Sequence, residues 1–167
     1  MKHLFDLDIT LWDCYDKHGN PIWAKQMVGP YKKQGNIITD DVGSTCVLRY
    51  GVKDYLEYLR INKYDIGFVS AGKNYILPNE FQPSIMLLKE FQIYFLFNYI
   101  RVLEYKTYDK TRTVKYIGEP IVFYDDNLDV LNSMSEIENV IPVNSKEIKD
   151  WTKLIGNNYD RYIVCSP

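Results

Sequence analysis

His3-Leu4-Phe5-Asp6-Leu7-Asp8-Ile9-Thr10-Leu11 opens the chain with an apolar run that stops at two carboxylates set one residue apart. Residues 3–5 read as a short buried strand, which places Asp6 and Asp8 at its carboxyl end. The pattern recurs: residues 66–69 run into Ser70, and residues 121–124 into Asp125 and Asp126. Residues 100–103 and 140–143 give two further strands. Helical spacing fills the gaps, with Tyr55, Leu56 and Leu59 inside 52–61 and Ile85, Leu88 and Phe91 inside 77–91. Asp109 is placed to cap a helix over about 110–117 that Gly118 and Pro120 close. Asn144 with Glu147 resembles a capping box for a helix reaching Leu154, and residues 159–165 read as one more edge strand. Strands alternating with helices predict an α/β fold: a three-layer, Rossmann-like parallel sheet with helices on both faces.

A chain of 167 residues suits one domain over 1–167, large enough to bury a core without disulfide or metal staples. Residues 13–41 fit neither period, being rich in Gly, Pro, Asn and Lys with a turn signal at 18–21. They are expected to form a small inserted flap or hairpin. Trp12, Tyr15 and Trp23 either pack this flap onto the body or form an apolar wall over the site.

Hydrophobic content of 46%, charged content of 25% and a net charge of -2 describe a globular chain. A disordered tail and a polybasic nucleic-acid binder are excluded. Two histidines, His3 and His18, cannot build a His-rich metal centre, so carboxylates must carry the chemistry. Cys14, Cys46 and Cys165 are odd in number and lack CxxC spacing. No disulfide framework or zinc site is expected from them, and a reducing cytoplasm fits best. Asp6 and Asp8 break the N-terminal apolar stretch, so no signal peptide is expected, and no run of ~20 apolar residues predicts a membrane helix.

In an open parallel sheet ligands bind beyond the carboxyl ends of the strands. There the sequence places Asp6, Asp8, Ser70, Asp125 and Asp126, with a lysine arriving a few residues after the strand at 100–103. Carboxylates with a hydroxyl and an ammonium are what a phosphoryl group and a magnesium ion require. Lys106, Lys110 and Lys115 all lie near the right place, and Lys110, at the start of a helix, points best toward the strand ends.

Phe5-Asp6-Leu7-Asp8-Ile9-Thr10-Leu11 resembles the first motif of the haloacid dehalogenase-like (HAD) superfamily, a hydrophobic strand followed by DxDx[TV][LV]. Ser70, Lys110 and Val122-Phe123-Tyr124-Asp125-Asp126 are similar to its second, third and fourth motifs, in the same order. The resemblance implies a magnesium-dependent phosphatase working through an aspartyl-phosphate. Asp6 would be the nucleophile and Asp8 the general acid and base; magnesium would be held by Asp6, the main-chain carbonyl of Asp8, and Asp125. Thr10, Ser70, Ala71 and Lys110 would bind phosphate, and Asp126 and Asp129 would support metal-bound water or cap a helix. An aspartate at position 8 separates phosphatases and phosphomutases from the P-type ATPases, which carry Thr there, and from the dehalogenases, which need no metal. Leu11-Trp12 continues the motif as in small phosphatases of the magnesium-dependent phosphatase-1 type, although Ser70 is followed by Ala71-Gly72-Lys73 where that group has Ser-Arg-Thr.

A response-regulator receiver uses a similar inventory in another order, with its acidic pair first, and is set aside. A catalytically weak binding or regulatory protein of the same fold, or a phosphotransferase, are the alternatives. A short flap leaves the site open to bulky substrates such as a phosphoprotein, a sugar phosphate or a nucleic-acid end.

Overall fold

A computed structural model of the chain describes residues 1–157, so the strand expected at 159–165 lies outside the described residues. Five strands form a parallel sheet: β1 (Lys2–Phe5), β7 (Asp65–Ser70), β8 (Arg101–Leu103), β9 (Ile121–Asp125) and β10 (Val140–Asn144). Their order is β10-β9-β1-β7-β8. From β1 the chain first builds outward to β7 and β8, then crosses back to lay β9 on the other side of β1. That reversal is a topological switch point, and it opens a crevice at the carboxyl ends of β1 and β9.

Alternating residues of each strand face opposite sides, and both sides are covered. Phe5, Ile66, Phe68, Val122 and Tyr124 join a core with Val52, Tyr55, Leu56 and Leu59 of α1 (Val52–Ile61) and with Leu87 and Leu88 of α2 (Pro83–Glu90). Leu4, Val69, Ile121 and Phe123 join a second core with Val114 of α3 (Thr111–Val114) and with Leu131 and Met134 of α4 (Leu128–Ser135). The fold is therefore mixed α/β with helices on both faces of a parallel sheet. In the first core Phe5 stacks on Tyr124 at 4.5 Å, and the Tyr124 hydroxyl meets the Tyr55 hydroxyl at 2.6 Å and His3 Nδ1 at 3.1 Å. Burial pushes the His3 pKa down to about 3, so this histidine is a neutral core group.

Residues 13–41, expected as a small flap, belong to a larger structure. A second, antiparallel sheet of five strands runs from Trp12 to Leu48 in the order β3-β2-β6-β5-β4. Its strands are β2 (Trp12–Tyr15), β3 (Pro21–Ile22), β4 (Lys32–Gln34), β5 (Ile37–Thr39) and β6 (Thr45–Leu48). Short strands with charged, exposed tips gave the sequence no period to read. Its buried residues Trp12, Cys14, Ile38, Cys46 and Leu48 belong to the first core. Arg49 ties the sheet to the body, donating to both carboxylate oxygens of Asp13 at 2.9 Å and to the Ser145 carbonyl at 3.1 Å.

Three other expectations are corrected. Cys14 and Cys46 stand directly opposite each other on β2 and β6 and form a disulfide, which sequence spacing could not foresee. Cysteine usage therefore no longer argues for a reducing compartment. The helix expected over 77–91 is shorter, because Pro83 forces Gln82 into an extended conformation and α2 begins only there. The segment 144–154 is two 3-10 turns capped by Asn144 and Asp150, because an extended Asp150 redirects the chain so that Trp151 drops fully into the core. The helix expected over about 110–117 is α3, Thr111–Val114, and its N-cap is Lys110, while Asp109, expected there, sits one residue earlier and accepts from the Thr111 amide at 3.0 Å. No helix among the described residues is long and apolar enough to cross a membrane.

Gly67 marks the tightest strand contact: a Cβ there would lie 2.7 Å from the Ile100 carbonyl oxygen and 2.8 Å from Leu4 Cδ2. Gly67→Ala is expected to destabilise the fold by about 1–3 kcal/mol, read as a lowered urea midpoint with unchanged slope.

Candidate active site

Pairing of Phe5 with Tyr124 in adjacent parallel strands makes the next residues, Asp6 and Asp125, neighbours at the carboxyl edge. The Asp6 amide donates to the Tyr124 carbonyl at 2.8 Å and holds that register one step past the strand. Two carboxylates this close would repel each other strongly. Lys110, delivered at the start of α3, puts its Nζ 2.8 Å from Asp6 Oδ1 and 2.6 Å from Asp125 Oδ2. Burial disfavours the ammonium, yet the two carboxylates outweigh that and hold its pKa above the ordinary lysine value. Asp125 is pushed up, by burial first and by the charge of Asp6 second, against the pull of Lys110. Of the other two candidate lysines, Lys106 is exposed and lines the same cavity, and Lys115 is exposed and is not among the lining residues.

Asp8 lives in different surroundings, although only Leu7 separates it from Asp6. Its Oδ1 accepts from Trp12 Nε1 at 2.8 Å and from the Ala24 amide at 3.0 Å. Burial is the largest influence on it and raises its pKa to about 6; the hydrogen bonds from Trp12 and Ala24 act the other way, and the charges of Asp6 and Asp126 add a smaller upward push. The turn beyond Asp8 is strained, since Ile9, a β-branched residue, holds φ at 59° while Leu11 donates back to the Leu7 carbonyl at 2.8 Å. Gly72 leaves room beside this carboxylate, as a Cβ there would stand 3.1 Å from Asp8 Oδ2.

Asp6, Asp125 and Asp126 each offer a carboxylate oxygen, all within 4.8 Å of one another. An all-oxygen, carboxylate-rich set suits a hard divalent cation such as magnesium, and the donor chemistry fits. The Asp8 carboxylate stands outside this group, so only its main-chain carbonyl is left to serve as a ligand. Asp126, read as a helper or a cap, is instead part of the acidic group, with Lys146 3.3 Å from its Oδ2. The cap of α4 is Asn127, which accepts from the Asp129 amide. Asp129 is exposed in the first turn of α4 and is not among the residues lining the cavity.

Thr10, read as a phosphate contact, is also displaced. The reversal at Ile9 turns it inward, where it is fully buried with its hydroxyl 3.0 Å from Ser145 Oγ. Ser70 and Ala71, by contrast, line the cavity with Asp6, Asp8, Lys110 and Asp125. Its volume is about 350 Å³. Sequence reasoning assigned no firm role to Trp23, Lys25, Tyr108 and Asn127, which complete its walls. The Asn-Leu-Asp spacing of a helix cap was the available signal for Asn127; Lys25 and Tyr108 carry none. Trp12 is wholly buried and stacks on Phe91, Trp23 is 48% exposed and lines the cavity, and Tyr15 is exposed and is not among the lining residues.

Among known proteins, no family model matches this chain and no curated protein is significantly similar to it. The chemistry has to be argued from the site.

The Asp8 pKa carries a consequence for stability. Its folded value of about 6 lies above the unfolded value of 3.8, so its protonation favours the native state below pH 4 and that advantage is lost as pH rises through 6. In chelator-treated protein, Asp8→Asn should match the wild type at pH ~3 and exceed it by up to about 3 kcal/mol at pH ~8, measured by urea unfolding across pH. Comparing the two proteins cancels the titrations they share.

Proposed function

We propose that this protein is a magnesium-dependent phosphatase of the HAD-like type, hydrolysing phosphate monoesters through a phosphorylated Asp6. The observation that carries the reading is the contrast between two aspartates one residue apart. Asp6 sits against a lysine inside an acidic, oxygen-rich group, and Asp8 is buried with its pKa near 6. Pairs of carboxylates pushed into different environments mark an assignment of nucleophile and acid.

Asp6, Asp125 and Asp126, with the main-chain carbonyl of Asp8, would hold the metal. Magnesium, when bound, offsets the charge of the phosphoryl oxygens and so lets an anionic nucleophile approach. Asp6 forms a bond to phosphorus while the ester oxygen leaves, and Asp8 in its protonated form gives that oxygen its proton. Asp8 then takes a proton from the water that attacks the acyl phosphate, which frees orthophosphate and restores Asp6. A pKa near 6 serves both half-reactions at neutral pH. Lys110 and Ser70 bind phosphoryl oxygens, and the Lys110 contact fixes the rotamer of Asp6. Trp12 of β2 and Ala24, on the turn after β3, donate to Asp8 and orient it.

Asp6→Asn is expected to lower kcat on a generic aryl phosphate by about 10³-fold or more while leaving the circular dichroism spectrum unchanged. Chelation of magnesium should abolish wild-type turnover and re-addition should restore it, with beryllium fluoride trapped against Asp6. Near-normal activity of Asp6→Asn would overturn the mechanism, and wild-type inactivity with magnesium on every phosphate ester tried would overturn the function.

A further inference from the structure

Among the side chains lining the cavity that have no part in the chemistry above are Trp23, Lys25, Lys106 and Tyr108. They come from two separate segments, each presenting an aromatic ring and a lysine. Trp23 and Lys25 flank Ala24 on the turn Ala24–Gln26 that follows β3. That turn is anchored at several points: Gln26 Oε1 accepts from the Trp23 amide at 2.9 Å, Asp8 accepts from the Ala24 amide at 3.0 Å, and Asn74 donates to the Lys25 carbonyl at 3.3 Å. Lys106 and Tyr108 stand on the segment between β8 and α3, which also delivers Lys110. The Tyr108 hydroxyl bonds to Thr113, which orients its ring.

Neither Lys25 nor Lys106 makes an ion pair among the described residues, although the chain pairs Lys2, Lys110 and Lys146 with acids. An indole 48% exposed on an anchored turn, in a wall of the cavity that holds Asp6, is a surface for a flat ring. Two uncompensated ammonium groups beyond Lys110 are a place for a second anion on the leaving group. The cavity, at about 350 Å³, stands at the small end of ligand pockets and suits a compact molecule better than a stretch of peptide.

We propose that the cavity takes a nucleoside carrying two phosphoryl groups, with the scissile one at Asp6, the base against Trp23 and Tyr108, and the second phosphoryl at Lys25 and Lys106. The inference rests on the phosphatase reading for its chemistry. Water is consumed, the ester P–O bond at Asp6 breaks, and the products are orthophosphate and a nucleoside monophosphate, with no redox change.

Binding tests this without turnover. Trp12 and Trp151 are fully buried, so acrylamide quenching of the chain's 3 tryptophans reports mainly on Trp23. Asp6→Asn protein with magnesium would be titrated with a nucleoside 3′,5′-bisphosphate, a nucleoside monophosphate, inorganic phosphate and a phosphotyrosine peptide. The bisphosphate should bind at least about tenfold tighter than the monophosphate and shield Trp23 from acrylamide. In Lys25→Ala and Lys106→Ala that ratio should fall toward one, with folding checked by circular dichroism. Wild-type kcat/KM over the three phosphate esters of that panel gives a second measure and should follow the same order. A bisphosphate that binds no better than the monophosphate, a ratio untouched by both lysine variants, or tighter binding of the phosphotyrosine peptide would each overturn the proposal. The two readings fail separately: aryl phosphate turnover without bisphosphate preference removes only this inference, whereas tight bisphosphate binding by a wild type that hydrolyses nothing removes the phosphatase and the hydrolysis step and leaves only the binding assignment.

Discussion

The ammonium of Lys110, held between the carboxylates of Asp6 and Asp125, is the contact on which the site depends. All three groups are at least nine-tenths buried and belong to three parts of the chain. Two carboxylates at adjacent strand ends would oppose the register that brings them together. A shared cation turns that repulsion into attraction, and removing Lys110 would cost about 3–5 kcal/mol because it strands two buried carboxylates, whereas removing either aspartate leaves the lysine paired with the other. The strand order makes the meeting possible. Only because β9 returns to the far side of β1 do Asp6 and Asp125 stand side by side, and only because α3 begins beside that edge does Lys110 reach both.

The second sheet matters for a different reason. It supplies both donors to Asp8 Oδ1, the Trp12 indole and the Ala24 amide, and buries that carboxylate until its pKa nears 6. Asp6 is engaged by the body of the fold, Asp8 by the second sheet, and the strained turn at Ile9 lets the chain pass from one to the other. The antiparallel sheet thus sets the proton affinity of one aspartate while its turn at Ala24–Gln26 forms part of the cavity wall. An element expected as a small flap accordingly bears on the chemistry proposed for Asp8.

Much of the fold could be read because the signals were local. Residues 52–61 formed the expected helix, and the strands before Asp6, Ser70 and Asp125 fell where the apolar runs ended. The helix over 77–91 was overdrawn because apolar spacing continued across Pro83, whose effect on Gln82 stops a helix from starting earlier. The turn at Ile9 gave no warning, as glycine and asparagine are the residues that usually announce a positive φ, and Thr10 was accordingly aimed at the wrong partner. The second sheet was underestimated because strands of two to four residues with exposed, polar tips produce no alternation to detect.

By itself the sequence determined the alternation of strands and helices and the residue types that end the central strands, since both are written in spacing over a few positions. It put Asp6, Asp8, Ser70 and Asp125 at one edge of a sheet. Only the tertiary structure decided which of the candidate lysines reaches Asp6, that Asp126 joins the acidic group while Asp129 does not, and that Cys14 meets Cys46. The Asp8 environment was decided there too. Burial and cross-chain hydrogen bonds arise between segments distant in sequence, so no local pattern encodes them, and they are what give two neighbouring aspartates different proton affinities and different proposed tasks.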